Sequence, residues 1–364
     1  MDEYYVKVND RQYGPLALKE LKDFAEQGNF TPEDLVWQAE INDWVSAEQV
    51  HELRDLFITE IAKEEELQNK LYAIASGKGG VGKTVLTVSL GVGLAKVGNQ
   101  VIMVDADLGG ADLHICMGVL EPKYTYFDFY TLQRESLSDI VLETCVDNLQ
   151  MISGACGTLG LANPKYFQKL RFIRELKKLQ ADFILVDLGA GSSLSVIDFF
   201  LLADEPILVM APEPTSVHEV FGFIKICLMR KLNRAFKYHP KILETLAKEE
   251  VNRPGRIQLT ANELLKQIVQ IEGDAADIFN TVVESFQPKL ILNMVREQED
   301  LKEAQALQSA AKELLSLQVE YLGHVSYDPT VAEAVNKTKP FLLHDPDSQA
   351  SQDLTELIKA KFLW

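Results

Sequence analysis

The sequence predicts an α/β fold, namely a doubly wound, mainly parallel sheet with helices on both faces, preceded by a small α+β module. From residue 71 onward, short apolar runs alternate with longer segments of helical periodicity, which is the pattern of repeated strand and helix units. Before that point the chain is more acidic and richer in aromatic side chains, as in a separate small unit. The length of 364 residues suits two or three domains of about 150 residues each.

The overall charge limits the classes of partner. Lys and Arg total 36 against 54 Asp and Glu, which gives a formal net charge of -18. Such a field repels nucleic-acid backbones and anionic lipid surfaces, so we expect no broad nucleic-acid binding. The first ten residues lack the pattern of a secretory leader, and no apolar run approaches the ~18 residues of a membrane span. We therefore expect a cytoplasmic protein, with peripheral membrane contact left open.

The first module is predicted to span residues 1–57. Residues 1–66 carry 17 acidic and six basic side chains, which is more than half of the net charge of the whole protein. We expect a strand over 4–8, a turn over 11–15, a helix over 17–27 and a second strand over 35–37. Residues 58–70 contain no Gly or Pro and are rich in Glu, which predicts an exposed helical connector.

The order Tyr13-Gly14-Pro15-Leu16, a helix and then two tryptophans resembles the bacterial GYF-like domain over roughly residues 3–55. The usual GPF triplet of that family ends here in Leu16. The resemblance implies an adaptor that docks proline-rich peptides on flat aromatic rings. The alternative is that these rings form the core of a very small domain. The rings in question are Tyr5, Tyr13, Trp37 and Trp44.

A phosphate-binding loop opens the second domain, which is predicted to span residues 71–364. The apolar run 71–75 predicts a strand, the stretch 77–84 matches GxxxxGK[ST], and a helical pattern follows directly. In such a loop, backbone N–H groups surround phosphate oxygens, Lys83 pairs with the β and γ phosphates, and the Thr84 hydroxyl binds Mg²⁺. The predicted ATP-binding residues of this stretch are Gly77, Gly79, Gly80, Val81, Gly82, Lys83, Thr84 and Val85.

Carboxylates follow two further predicted strands. Asp105 and Asp107 come after the apolar run 101–104, and Asp187 follows the run 183–186 and precedes a glycine-rich turn. Because the carboxyl ends of parallel strands meet at one edge of an open sheet, these carboxylates should lie near the bound phosphates. Asp187 is predicted to hold Mg²⁺ through water. A simple surface loop is the alternative for the stretch around Asp105.

The stretch KGGVGKT, with its additional Lys78, resembles the MinD/ParA family of P-loop ATPases, and the likeness spans most of residues 71–345. The resemblance implies that Lys78 reaches the nucleotide of a partner subunit, that Asp107 orients the attacking water, and that Asp105 helps to hold the Mg²⁺ shell. Asn293, after the apolar run 290–292, would recognise adenine. Asp112 departs from the family, whose similar members have Asn there.

This resemblance implies a slow, partner-stimulated ATPase that dimerises with ATP and Mg²⁺ and positions or regulates a cellular assembly. Within the family, the sequence is most similar to MinD-like proteins related to the regulators of flagellar number and placement. The alternative is a nucleotide-binding adaptor with a weak or vestigial ATPase that acts through the GYF-like module. A metallocluster carrier would need cysteine pairs, but Cys116, Cys145, Cys156 and Cys227 lie far apart in the sequence and are predicted to be buried free thiols.

Two further segments leave alternatives open. A mostly helical insertion is predicted at about 233–286. The stretch 225–241 beside it carries six Lys and Arg without one acid, which predicts either a solvated helix face or a surface for an anionic partner. At 353–364 apolar side chains fall on one helical face, which predicts docking on the protein's own core, contact with a membrane, or binding of a partner.

Overall fold

The computed structural model describes residues 4–8, 11–26, 30, 34–38, 43–47, 50, 53, 70–107, 109–131, 133–154, 166–250 and 259–363. Contacts divide the chain into two compact units, Met1–Gln68 with Asn163–Leu179, and Asn69–Ala162 with Gln180–Trp364. The predicted connector helix lies outside the described residues except for Lys70, which begins a strand.

The first unit contains a four-stranded antiparallel sheet and one short helix from the amino-terminal module. The elements are β1 (Tyr4–Val8), β2 (Arg11–Leu16), α1 (Leu18–Glu26), β3 (Leu35–Gln38) and β4 (Trp44–Ser46). The strand order is β2-β1-β3-β4. The turn predicted over 11–15 is wrong, because these residues form edge strand β2, where Pro15 removes no hydrogen bond from the interior of the sheet.

The aromatic rings of this module do not form its core. The buried cluster consists of other side chains, among them Tyr4, Val6 and Val36. Tyr5, Trp37 and Trp44 stand opposite one another on β1, β3 and β4. Successive strand residues point to opposite faces, so this aromatic row lies on the face away from the core. The alternative that these rings are the core is therefore wrong.

The second unit contains an eight-stranded sheet. Its strands are β5 (Lys70–Ser76), β6 (Val101–Ala106), β7 (Leu142–Glu143), β8 (Leu149–Ile152), β9 (Phe183–Ala190), β10 (Glu205–Met210), β11 (Lys289–Val295) and β12 (Glu320–Ser326). The strand order is β12-β11-β10-β5-β9-β6-β8-β7, and all neighbours are parallel except β7 and β8. The predicted mainly parallel sheet is thus confirmed, and its central strands are buried apolar runs, as expected when both faces are covered.

Helices connect these strands. They are α2 (Lys83–Lys96), α3 (Leu113–Cys116), α4 (Tyr126–Tyr130), α5 (Tyr166–Lys178), α6 (Leu194–Phe200), α7 (Pro214–Ala235), α8 (Pro240–Glu250), α9 (Ala261–Ile271), α10 (Ala275–Glu284), α11 (Leu301–Leu315), α12 (Pro329–Asn336), α13 (Phe341–His344) and α14 (Gln349–Lys361). Helix α5 falls in the first compact unit, whereas the others after residue 68 fall in the second. The predicted helical insertion corresponds to α8, α9 and α10.

The last helix, α14, packs on the core of its own unit. Leu354, Leu357, Ile358 and Phe362 are all at most 5% exposed. The packing is close, since a Cβ added to Gly93 of α2 would lie 2.3 Å from a methyl carbon of Ile358. The prediction that this face docks on the protein's own core is confirmed. Among the described residues, no helix has both the length and the apolar character needed to cross a membrane.

The basic stretch is partly neutralised within the unit. Asp198 of α6 is 4% exposed and accepts hydrogen bonds from Arg230 and Arg234 of α7. These two arginines therefore hold α7 against α6, so the stretch is not simply a solvated face. Cys116, Cys145 and Cys227 are free thiols, and Cys156 lies outside the described residues. The prediction of buried thiols is confirmed for Cys227 and wrong for Cys145, which is exposed.

Candidate nucleotide-binding site

The phosphate loop runs from the carboxyl end of β5 to the first turn of α2. Gly82 caps the helix with a φ of 81°, and Gly80 has a φ of 80°, so both occupy the left-handed region that favours glycine. Nothing lies within 4 Å of a Cβ built on Gly79 or Gly80. The loop backbone at these two residues therefore borders open space, into which a ligand can approach the helix start.

Asp187 joins the loop to the sheet. Lys83 Nζ lies 2.8 Å from its Oδ1, and the Thr84 hydroxyl donates to its Oδ2 at 2.7 Å. The Thr87 hydroxyl lies 3.3 Å from Oδ1 and 3.0 Å from the Lys83 carbonyl oxygen. Asp187 is 1% exposed and Lys83 7% exposed, so this is a buried, hydrogen-bonded ion pair.

Asp105 lies directly opposite Asp187 on the neighbouring strand β6. Its carboxylate accepts hydrogen bonds from the backbone N–H groups of Asp107 and Leu113, both at 3.1 Å. Burial, and then the nearby charge of Asp187, raise the pKa of Asp105 to about 8. A bound cation would lower this pKa again by favouring the charged form.

Asp107 occupies the turn after β6. Its Oδ1 accepts the backbone N–H groups of Gly109 and Gly110 at 3.3 and 3.1 Å. A Cβ built on Gly189, near the carboxyl end of β9, would lie 3.1 Å from the same oxygen. The turn after β6 is thus packed against the carboxyl end of β9 at Asp107. The turn predicted directly after Asp187 is wrong, because strand β9 continues to Ala190. Asp112 is exposed and caps no helical N–H.

Lys78 is held by its own chain. Its Nζ lies 2.9 Å from Oε2 of Glu213 and 3.3 Å from the Thr215 hydroxyl at the start of α7. The side chains of Lys78 and Glu213 are 42% and 57% exposed, so this contact is a solvent-screened surface pair. It joins the phosphate loop to the first turn of α7.

An apolar pocket lies beside the loop. Its volume is about 290 Å³, and Val85, Asn293, Met294 and Tyr327 are among its lining residues. Asn293 is 9% exposed and donates a hydrogen bond from Nδ2 to the Val81 carbonyl oxygen at 2.8 Å. A flat base could enter this pocket while its phosphates face the loop.

The structure therefore brings together Lys83, Thr84, Asp105, Asp107 and Asp187 beneath the loop, and places Asn293 to one side. Sequence reasoning missed Thr87, Glu213 and Thr215. Thr87 could have been found, because it lies four residues after Lys83 on the same helix face. Glu213 and Thr215 could not have been found, because nothing in the local sequence links them to Lys78.

The donor set suits Mg²⁺. Thr84 and Asp187 offer a hydroxyl and a carboxylate, and Asp105 offers a second carboxylate on the adjacent strand. These hard oxygen ligands are the type that Mg²⁺ takes, together with water and phosphate oxygens. Among the described residues, no group of three or more His, Cys, Asp or Glu side chains could hold a metal ion. Water and phosphate oxygens would therefore complete the ligand set of Mg²⁺.

A phosphate loop at the start of a helix, with a buried carboxylate behind it, defines a nucleotide-binding protein of the P-loop class. The chain belongs to the CobQ/CobB/MinD/ParA nucleotide-binding domain family, whose model matches residues 72–341. Residues 4–53 match the family GYF domain 2. Both resemblances expected from the sequence are thus confirmed.

Characterised relatives and solved structures are consistent with this family. Antiactivator FleN of Pseudomonas aeruginosa is 34% identical over 159 residues, which cover 43% of this chain and 56% of FleN. Flagellum site-determining protein YlxH of Helicobacter pylori is 34% identical over 160 residues, which cover 43% of this chain and 53% of YlxH. The chain thus spans only about half the length of these relatives. MinD from Pyrococcus horikoshii, solved with Mg-ADP, has the same fold, with a TM-score of 0.50, 23% identity, and coverage of 79% of this chain and 94% of that one.

Proposed function

We propose that this chain is a dimerising ATPase switch that binds ATP with Mg²⁺, recruits a protein partner and so positions or regulates a cellular assembly. The observation that carries the proposal is the convergence of Lys83 and Thr84 on buried Asp187 beneath an open glycine loop. Hydrolysis is slow and is stimulated by the partner.

Each side chain of the site has a role in this proposal. The N–H groups of the loop and Lys83 bind the phosphates, which stabilises the negative charge that develops during phosphoryl transfer. Thr84, Asp105 and Asp187 hold Mg²⁺, directly or through water. The ion supplies additional positive charge next to the phosphate oxygens. Asp107 orients the attacking water, and Asn293 with Val85 binds the base.

Lys78 couples the nucleotide to dimerisation. To reach the nucleotide of a second subunit it must leave Glu213 and Thr215, and the exposed, screened pair costs little to open. The first turn of α7 would lose this contact with the phosphate loop at the same time. This gives a direct connection between ATP-dependent association and the surface of α7.

The relatives suggest which kind of assembly is regulated. FleN is named as an antiactivator and YlxH as a flagellum site-determining protein, and MinD of Aquifex aeolicus has been solved in a MinC:MinD complex. By analogy, the cargo is a flagellar or septal assembly and the partner is a protein. The protein acts in the cytoplasm, and peripheral contact with a membrane is the alternative. The net charge of -18 disfavours nucleic acid as a partner.

The test is the solution mass of the full chain with ADP and with ATP plus Mg²⁺. Asp107→Ala is used to block turnover, Lys78→Ala to remove the bridging cation, and Lys96→Ala, at the far end of α2, serves as a matched control. We expect a monomer with ADP, a dimer with ATP in the Asp107→Ala protein, and no ATP-dependent dimer when Lys78→Ala is added. A solution mass that is the same with ADP and with ATP plus Mg²⁺ would exclude the switch.

A second candidate is an adaptor that acts through the amino-terminal module and has a weak or vestigial ATPase. The half-buried aromatic row of Tyr5, Trp37 and Trp44 favours it, because flat rings suit a polyproline helix. A labelled proline-rich peptide should then bind the wild type and fail to bind Trp37→Ala, with Tyr13→Ala, outside the row, as control. Mg²⁺-dependent turnover that disappears in Asp107→Ala would exclude the vestigial form.

A further inference from the structure

A second cavity lies at the amino ends of β10, β11 and β12, the opposite end of the sheet from the phosphate loop. Its volume is about 410 Å³, larger than that of the pocket beside the loop. Lys231 of α7 lines one side, and Glu284 and Phe286, at and after the end of α10, line another. We call it the rear pocket. The helical insertion therefore builds part of its wall.

Four charged groups of the rear pocket are already satisfied by the protein. Asp204 Oδ2 accepts the backbone N–H of Leu71 at 2.9 Å, and the other three groups are Lys289, Glu205 and Glu320. Lys289 Nζ lies 2.6 Å from Oε2 of Glu205 and 3.5 Å from Oε2 of Glu320. Glu320 also pairs with Lys361 at 3.3 Å. These groups form a fixed network along the edge of the sheet, and they leave little charge to offer a ligand.

Two other charged groups of the same pocket have no such partner. Within the described part of the chain, neither the Lys231 ammonium nor the Glu284 carboxylate forms an ion pair or a side-chain hydrogen bond. They do not pair with each other either, although both line the cavity. The pocket thus presents one cation and one anion at separate places.

The environment of Lys231 makes an anionic partner favourable. Its Nζ lies 5.7 Å from the centre of the buried Phe286 ring. Burial lowers the pKa of Lys231, and the nearby positive charge of Arg234 lowers it further. A carboxylate bound next to Lys231 would relieve both effects.

We propose that the rear pocket binds a small zwitterion, with its carboxylate on Lys231 and its ammonium group on Glu284. A simple anion would leave the Glu284 carboxylate unpaired, and a simple cation would leave the Lys231 ammonium group unpaired. A molecule that carries both charges matches both free groups, and its carbon chain can lie against Phe286. The ligand class is an amino acid or short peptide with separated charges, and the site is independent of nucleotide binding.

The experiment is calorimetric titration of the full chain with three probes of equal length: 6-aminohexanoate, hexanoate and hexylamine. We expect saturable binding of 6-aminohexanoate at least tenfold tighter than that of either single-charge probe. 4-Aminobutanoate tests a shorter separation of the two charges. If neither amino acid binds at about 10 mM, or if the three six-carbon probes bind equally, the proposal is overturned.

Substitutions assign the binding to this pocket. Lys231→Met should weaken 6-aminohexanoate at least tenfold, whereas Lys231→Arg, which keeps the charge, should retain most of the binding and guards against loss through misfolding. Glu284→Gln should weaken 6-aminohexanoate while leaving hexanoate unchanged. Lys237→Met is the matched control, because its Nζ lies over the Tyr238 ring and not in the pocket. Unchanged affinity in Lys231→Met would also overturn the proposal.

Discussion

Gly77 of the phosphate loop lies directly against the backbone of Glu219 in α7. A Cβ built on Gly77 would come within 2.5 Å of the Glu219 carbonyl carbon and within 2.7 Å of the amide nitrogen of Val220. The neighbours are backbone atoms, which cannot move aside as a side chain can. The loop and α7 therefore leave no room for a side chain at position 77.

Gly77→Ala should separate these two backbones and destabilise the second unit. Overpacking of this kind costs about 1–3 kcal/mol. Urea unfolding of the full chain, followed by circular dichroism, measures the change. Gly79→Ala is the control, since nothing lies within 4 Å of its added Cβ. Equal stability of the two variants would show that the contact between loop and helix is looser than described.

The effects of substituting Lys83 and Asp187 on the free energy of unfolding should be strongly coupled. Lys83→Met leaves a buried carboxylate and Asp187→Asn leaves a buried ammonium, and each loss of one partner should cost about 3–5 kcal/mol. The double variant should cost clearly less than the sum of the two single variants. A thermodynamic cycle from chemical unfolding in the absence of nucleotide measures this difference, and simple additivity would contradict the buried pair.

The raised pKa of Asp105 predicts a pH dependence of stability. The folded protein keeps the proton up to about pH 8, whereas an unfolded aspartate loses it near pH 3.9. Between these values the folded state binds more protons, so the free energy of unfolding falls as the pH rises. The contribution of Asp105 to the free energy of unfolding is complete below about pH 4 and is lost by about pH 8.

Asp105→Asn should therefore flatten that dependence. The comparison is between the slopes of unfolding free energy against pH for wild type and variant, measured without Mg²⁺ or nucleotide. The slopes are compared and not the absolute stabilities, because the substitution also changes stability at every pH. The Asn side chain has one acceptor oxygen fewer than Asp105 for the N–H groups of Asp107 and Leu113. Parallel slopes from pH 5 to 8 would mean that Asp105 is already charged in the folded protein.

The thiols should differ in reactivity. Burial, and then the charges of Asp112, Asp187 and Asp105, raise the pKa of Cys116 to about 11. At pH 8 only about one part in a thousand of this group is thiolate, the reactive form. Iodoacetamide should therefore modify exposed Cys145 well before Cys116, and buried Cys227 last. Peptide mapping over time provides the order, and early labelling of Cys116 would place it in a more open environment.

The sequence predicted the carboxylates of the site well, for a physical reason. Parallel strands place their carboxyl ends at one edge, so Asp105 and Asp187, each at the end of an apolar run, are expected to be neighbours. The register confirms this proximity, with the two residues directly opposite each other. The loop could be predicted because its glycine spacing is a local property.

Contacts between distant segments could not be predicted. Lys78 and Glu213 are 135 positions apart, and their pairing depends on how α7 approaches the loop. In the small module, Tyr4 and Tyr5 are identical neighbours in the sequence, yet only Tyr4 belongs to the core. Which of the two faces inward depends on the side of the sheet that α1 covers. That is decided by tertiary packing and not by the local sequence.

The strand order also has a consequence for synthesis on the ribosome. Strand β5, which carries the phosphate loop, lies between β9 and β10, whereas α2 is covered in part by α14. The loop is translated before every one of these elements, so its strand must wait, unpaired, for partners made more than a hundred residues later. A nascent chain therefore exposes an apolar strand until β9 and β10 have been made, and the packing around α2 is completed only after α14 has emerged.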